Sequence, residues 1–352
     1  MIKVLIVDDS ILIRKVLTQI LSDQADIQVV GTAADPYIAR DKIKALNPDV
    51  ITLDIEMPKM DGITFLRNLM RLRPLPVVMI STLTQKGAPS TLEALEIGAV
   101  DYIGKPSADK PELLSEYASE IIEKVKMASV ANVSRLEIQA NRTPPKVIKP
   151  IEKQGLNRDG LIVIGASTGG TEAIRELLCM LPVDTPPIVI TQHIPPVFSA
   201  SFAKRINGMI QQEVSEAQDG DKIMPGHIYI APGDKQFEVV QKGGHFYCKV
   251  YDGERVNLHK PSVEVLFDSI SRNPQLAKRS IGIMLTGMGA DGAQAMLRMK
   301  QAGCYNIVQD KESSVVWGMP GAAVDCGAAD KVLPLNHIAA HVVSHLKKGI
   351  KR

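Results

Sequence analysis

Cysteine is scarce: four residues in 352, Cys179, Cys248, Cys304 and Cys326, all far apart and none in a Cys-x-x-Cys pair. That excludes a disulfide scaffold and a zinc framework and leaves reduced thiols in a cytosolic protein. Charge of one sign is lacking too. Lysines and arginines nearly cancel aspartates and glutamates, leaving +2, so nothing global argues for nucleic acid or a membrane surface. No apolar run approaches the length needed to span a bilayer. The N-terminal run, Met-Ile-Lys-Val-Leu-Ile-Val-Asp-Asp, is too short for a signal peptide and ends in two acids. A cytoplasmic location without direct membrane insertion is expected.

What is present is length enough for two domains. Residues 1–125 alternate short apolar runs with amphipathic stretches. Strands are predicted at Lys3–Val7, Ile27–Ala33, Val50–Leu53, Val77–Ser81 and Tyr102–Ile103. Helices are predicted at Ser10–Leu21, Pro36–Leu46, Gly62–Arg71, Thr91–Ile97 and Pro111–Met127. The alternation implies a doubly wound, five-stranded parallel sheet. Over 126–157 the periodicity fails in a proline-bearing, basic stretch read as a linker with some helix at its start; its basic excess fits a solvated spacer better than a binding patch. Residues 158–345 form a second α/β domain, a mostly parallel sheet with an antiparallel excursion. There the β signals are His227–Ala231, Gln236–Gln241 and His245–Asp252, and Gly243-Gly244 reads as a hairpin turn.

In the first domain, Asp8 and Asp9, Asp54, Ser81 with Thr82, and Lys105-Pro106 all follow strands of one sheet and so share its ligand-binding edge. Three carboxylates gathered there repel one another and call for a hard cation; Mg²⁺ with oxygen ligands fits. A metal-bound carboxylate beside a lysine and a hydroxyl suits phosphoryl acceptance. Taken singly, Asp9 or Ser10 could be a helix N-cap and Lys105-Pro106 a loop.

In the second domain, Ser167, His193 and Asp291 each sit where an apolar run breaks into glycines or prolines. A serine, a histidine and an aspartate at one sheet edge are a nucleophile, a base and a group that orients the base. Gly165-Ala166-Ser167-Thr168-Gly169 spells the nucleophile-elbow pattern. A glycine-rich strand–helix turn also suits a phosphate or dinucleotide, but Gly-x-Gly-x-x-Gly and Gly-Lys-[Ser/Thr] are absent. The order Ser, His, Asp disfavours an ordinary α/β-hydrolase, which runs Ser, Asp, His. His259 and His227, read as loop or turn, compete with His193 for the base; N-capping is the bland role for Asp291.

Residues 1–125 resemble a response-regulator receiver domain. The resemblance implies Asp54 as phosphoacceptor, Asp8, Asp9 and Asp54 as Mg²⁺ ligands, Ser81 as switch hydroxyl and Lys105 as phosphate-pairing lysine. Tyr102 matches the aromatic switch position, with packing as its alternative role. The second domain resembles the catalytic domain of the chemotaxis protein-glutamate methylesterase family. The match lies in Gly-Ala-Ser-Thr-Gly-Gly, Gln192-His193, Tyr229-Ile-Ala-Pro-Gly-Asp, Pro261-Ser-Val-Glu-Val-Leu-Phe, Leu285-Thr-Gly-Met-Gly-Ala-Asp-Gly and Gly318-Met-Pro. It implies Ser167 as nucleophile, His193 as base, Asp291 as orienter and the Met288 N–H as oxyanion donor. One departure is Gln236, where the family often carries a histidine.

The function implied is a phosphorylation-regulated serine hydrolase with no cofactor in the esterase step. It would demethylate glutamate γ-methyl esters, and deamidate glutamines, on the cytoplasmic helices of methyl-accepting chemoreceptors. The histidine kinase of the chemotaxis system would be its phosphodonor, and the receiver would partly cover the esterase edge until phosphorylated. The alternatives are the same chemistry in another signalling pathway and a non-enzymatic adaptor. A DNA-binding output is disfavoured because the second half reads as α/β without a basic helix-turn-helix.

Overall fold

Runs such as Val50–Asp54 and Val77–Ser81 are buried at every residue, as strands of a parallel sheet covered on both faces must be. The computed structural model describes residues 1–81, 87–105, 114–132 and 155–348. The chain divides into two units, Met1–Thr143 and Pro144–Arg352.

The first unit is a five-stranded sheet of order β2-β1-β3-β4-β5. Its strands are β1 (Ile2–Val7), β2 (Ile27–Ala33), β3 (Val50–Asp54), β4 (Val77–Ser81) and β5 (Asp101–Gly104), and all pairs are parallel. The order reverses at β1, which lies between β2 and β3, so the ends of β1 and β3 flank the crevice where such sheets bind ligands. Side-chain caps fix the helix entries: Ser10 accepts from the Ile13 N–H at 3.4 Å and Asp61 from the Thr64 N–H at 2.8 Å. The helix predicted at 111–127 runs Leu114–Ser129. Residues 111–113, Thr82, Pro106 and the linker from 133 to 154 lie outside the described residues.

The second unit is a seven-stranded sheet of order β14-β13-β12-β6-β7-β9-β8. Its strands are β6 (Ile162–Ala166), β7 (Ile188–Gln192), β8 (Glu213–Glu216), β9 (His227–Ile230), β12 (Ile281–Met284), β13 (Tyr305–Gln309) and β14 (Lys331–Leu333), again all parallel. The antiparallel excursion is the separate hairpin β10 (Gln236–Lys242) and β11 (His245–Tyr251). His227–Ile230, grouped with it in the sequence reading, instead pairs in parallel with β7 and β8. The helix Val263–Ser271 packs Leu266, Phe267 and Ile270 into one cluster with Phe237 and Val239 of the hairpin and Met296 and Met299 of the helix Ala293–Gln301. Gln236 of the hairpin also accepts from the N–H of Ser262, the N-cap of Val263–Ser271, whose start reaches the site below. Among the described residues no helix is long and apolar enough to cross a membrane.

Candidate active site

The sheet order places β6 between β7 and β12. Ala166 pairs with Gln192 across β6 and β7, so the next residues, Ser167 and His193, leave the sheet side by side. The His193 N–H donates to the Ala166 carbonyl at 3.1 Å, and the Ser167 N–H to the Thr286 carbonyl beyond β12 at 3.1 Å. Gln192 secures the turn from beneath: its Nε2 donates to the carbonyls of Ser167 at 2.9 Å and His193 at 3.1 Å. Gly169 must adopt φ 74° for the chain to enter the helix Gly170–Met180. Gly287 leaves room for the serine, since a Cβ there would lie 2.9 Å from the Ser167 Cβ and 2.5 Å from the Met319 Sδ.

The three predicted side chains form one hydrogen-bonded chain. His193 Nδ1 is 3.1 Å from Ser167 Oγ, and His193 Nε2 is 2.9 Å from Asp291 Oδ2. Asp291 is buried and richly hydrogen-bonded. It accepts from Asn257 Nδ2 at 2.8 Å, Ser262 Oγ at 2.8 Å, the Val263 N–H at 2.7 Å and the Glu264 N–H at 3.3 Å. The last two open the helix Val263–Ser271, whose positive end suits a carboxylate. Burial alone would raise the Asp291 carboxyl, but His193, Asn257 and Ser262 together hold it below the usual carboxylate range. Asp291 therefore stays charged and fixes the proton on Nε2, which leaves Nδ1 as an acceptor facing the serine.

Of the competing histidines, His227 heads β9 and pairs with Glu213 at 2.9 Å. His259 stacks on His193, ring centroids 3.7 Å apart and planes 19° apart. The Met288 N–H, on the turn after Gly287, makes no hydrogen bond among the described residues. Sequence reasoning gave no role to Asn257, Ser262, Gln192 or Gln236. Ser262 was legible as the N-cap before an apolar helical run, but nothing local pointed to Asp291. Gln236 is buried; its Oε1 accepts from the Ser262 N–H at 3.0 Å and its Nε2 donates to the carbonyls of Glu254 at 2.8 Å and His259 at 3.2 Å. Gln236 thus holds the loop that carries Asn257, His259 and Ser262.

The receiver site is equally convergent. Lys105 Nζ lies 2.7 Å from Asp54 Oδ2 and 3.0 Å from Asp8 Oδ2. Asp8, Asp9 and Asp54 each bring a carboxylate oxygen within 4.8 Å of the others. Burial pushes the Asp54 carboxyl up to about 6; the Lys105 hydrogen bond opposes this and the negative charge of Asp8 adds to it. Lys105 is held above its usual range because Asp54 and Asp8 outweigh the burial that works against its charge. Lys105 thus neutralises only part of the cluster, and a hard dication with oxygen ligands fits what remains. Ser81 ends β4 buried, its carbonyl accepting from the Lys105 N–H at 2.8 Å. Tyr102 is buried on β5, its hydroxyl pushed well above the usual range by burial, with Lys124 Nζ 5.1 Å from its ring centroid.

Known proteins resemble the chain along its length. Residues 4–118 match the response regulator receiver domain and residues 162–342 the CheB methylesterase family. A protein-glutamate methylesterase/protein-glutamine glutaminase of Saccharophagus degradans is 53% identical over 347 residues, 99% of each chain. Another of that name, from Albidiferax ferrireducens, is 52% identical over 358 residues, 100% of this chain and 95% of its own. The crystal structure of the Thermotoga maritima CheB methylesterase catalytic domain superposes with a TM-score of 0.51 at 34% identity, covering 53% of this chain and 98% of that one. The chain belongs to the CheB methylesterase family, with a response-regulator receiver domain at its N-terminus.

Proposed function

We propose that the protein is a receiver-regulated serine hydrolase that removes methyl groups from glutamate γ-methyl esters of chemoreceptors and deamidates receptor glutamines. The observation that carries this reading is the hydrogen-bonded chain from Ser167 Oγ through His193 to Asp291 at the ends of neighbouring strands. Ser167 Oγ attacks the γ-carbonyl carbon while His193 Nδ1 takes its proton. Asp291 holds the Nε2–H and stabilises the imidazolium. The oxygen that gains charge is met by the Met288 N–H. The tetrahedral intermediate collapses, the bond to the methoxy oxygen breaks, and His193 returns the proton so that methanol departs. Water then attacks the acyl-serine with His193 again as base, giving free glutamate and restoring Ser167. With a glutamine substrate the same proton return releases ammonia.

In the receiver, Asp54 is the phosphoacceptor, and Asp8, Asp9 and Asp54 would hold Mg²⁺. Bound there, the ion supplies charge neutralisation for the oxygens of the transferring phosphoryl group. Lys105 pairs with the phosphoryl oxygens and Ser81 donates its hydroxyl to them, with Tyr102 following the change at β4. Phosphorylation then shifts an equilibrium between less and more active forms. A tenfold activation needs about 1.4 kcal/mol of differential stability. The phosphodonor is the histidine kinase of the chemotaxis system, and the site of action is the cytoplasm.

Site-resolved mass spectrometry of a methylated receptor fragment tests the reading. It expects conversion of methyl-glutamate to glutamate, and of glutamine to glutamate, at specific positions. Ester loss without any glutamine conversion would remove the second activity, and no conversion at either residue would overturn the reading.

A further inference from the structure

Leu258 stands 80% exposed between Asn257 and His259. It occupies the tight turn Val256–His259, closed by Val256 N–H to His259 carbonyl at 3.0 Å and His259 N–H to Val256 carbonyl at 2.9 Å. Both central residues are left-handed, Asn257 at φ 51° and Leu258 at φ 70°. Turns of this kind favour Asn followed by Gly, because the second position is sterically unfavourable for a side chain. Asn257 obeys that preference and Leu258 does not. The residues on either side are both tied to the reacting groups, Asn257 by its 2.8 Å hydrogen bond to Asp291 and His259 by its stack on His193. Gln236 grips the same loop from below. The turn therefore holds an apolar side chain outward, in an unfavourable backbone conformation, one residue from two groups that fix the base.

We propose that Leu258 is a specificity residue that packs against an apolar side chain of the substrate protein next to the glutamate being processed. This rests on the reading that the substrate is a helical receptor segment. On a helix, residues three and four positions from the target lie on the target's face, so the partner of Leu258 is an apolar residue at one of those positions. Covering a leucine against such a partner is worth about tenfold or more in affinity.

The test uses the full-length protein with acetyl phosphate and Mg²⁺, and the variants Leu258→Gly and Leu258→Asn. Both replacements suit the left-handed backbone, so the turn is retained. Initial rates are measured on a methylated receptor fragment and on p-nitrophenyl acetate. The proposal expects KM for the fragment to rise about tenfold in both variants, and the loss in kcat/KM on the fragment to exceed that on the small ester by a similar factor. Equal losses on the two substrates would mean that the turn acts only through His193 and Asp291, overturning the contact. Unchanged KM on the fragment would overturn it as well. Variants faster than wild type in the absence of the phosphodonor would assign Leu258 to the receiver instead. Wild-type protein that cleaves p-nitrophenyl acetate but not the fragment would mark failure of the substrate reading itself.

Discussion

His193 offers Nε2 to Asp291, at 2.9 Å from Oδ2, and keeps Nδ1 for Ser167. In the familiar serine-protease arrangement the ring is turned the other way, with Nδ1 on the aspartate and Nε2 on the serine. The roles survive the rotation because each requires only one nitrogen protonated and the other free. The rotation follows from chain geometry: His193 leaves β7 beside Ser167, whereas Asp291 reaches the far side of the ring from the loop after β12.

Replacing Asp291 by Asn should therefore fail through the proton rather than through shape. An amide donating to Nε2 would shift the ring proton to Nδ1, which could then no longer accept from Ser167. Methanol release is expected to fall by about 10⁴-fold, as when the orienting carboxylate of a serine triad becomes an amide. A loss of less than about tenfold would show that the ring does not need Asp291 to fix its proton.

The same aspartate gives the C-terminal unit an acid-sensitive increment of stability. Its folded-state pKa lies below the ordinary value, so its contribution is fully present above the unfolded-state value, about 4, and is lost as pH falls through the folded value. In calorimetry the gap between wild type and Asp291→Asn in the transition of this unit should hold steady from neutrality down to about pH 4 and narrow below it. A gap independent of pH would contradict this.

Gly287→Ala tests how closely the turn after β12 abuts Ser167, the proposed nucleophile. The new methyl would fall 2.9 Å from the Ser167 Cβ and 2.5 Å from the Met319 Sδ, so Ser167 or the Met288 N–H must shift. A displacement of that order can cost about 10²-fold in rate, and kcat on any ester should show it. Wild-type kcat in this variant would mean that the serine has slack that the packing does not suggest.

Asp54→Ala removes the proposed phosphoacceptor, which shares Lys105 Nζ with Asp8. The ratio of methanol release with acetyl phosphate to release without it should fall to about one, whatever activation the wild type displays. Stimulation retained in the variant would place the phosphoacceptor elsewhere.

Much of this was legible in the sequence because each chemical residue follows an apolar run that breaks into turn chemistry. Ser167, His193 and Asp54 follow or end strands buried at every residue, and that burial gives the run its signature. Where burial is thin the signature fails. The edge strand β8 reads Glu-Val-Ser-Glu with only Val214 buried, and β14 is three residues without a buried one. The helix Leu335–Lys348 is not among the predicted elements although its buried residues, Leu335, Ile338, Ala339, Val342 and Leu346, keep helical spacing. Asn257, Ser262 and Gln236 escaped for a different reason. Asn257 and Ser262 meet Asp291 across 34 and 29 residues and Gln236 meets Ser262 across 26, and residues 253–261, which carry Asn257, have no periodicity to show where the chain folds back.

The most direct test of the account is methanol release from a methylated receptor fragment by the full-length protein, wild type against Ser167→Ala, each with and without acetyl phosphate and Mg²⁺. Release is expected to require Ser167 and to rise with the phosphodonor. Release that persists in Ser167→Ala would contradict it.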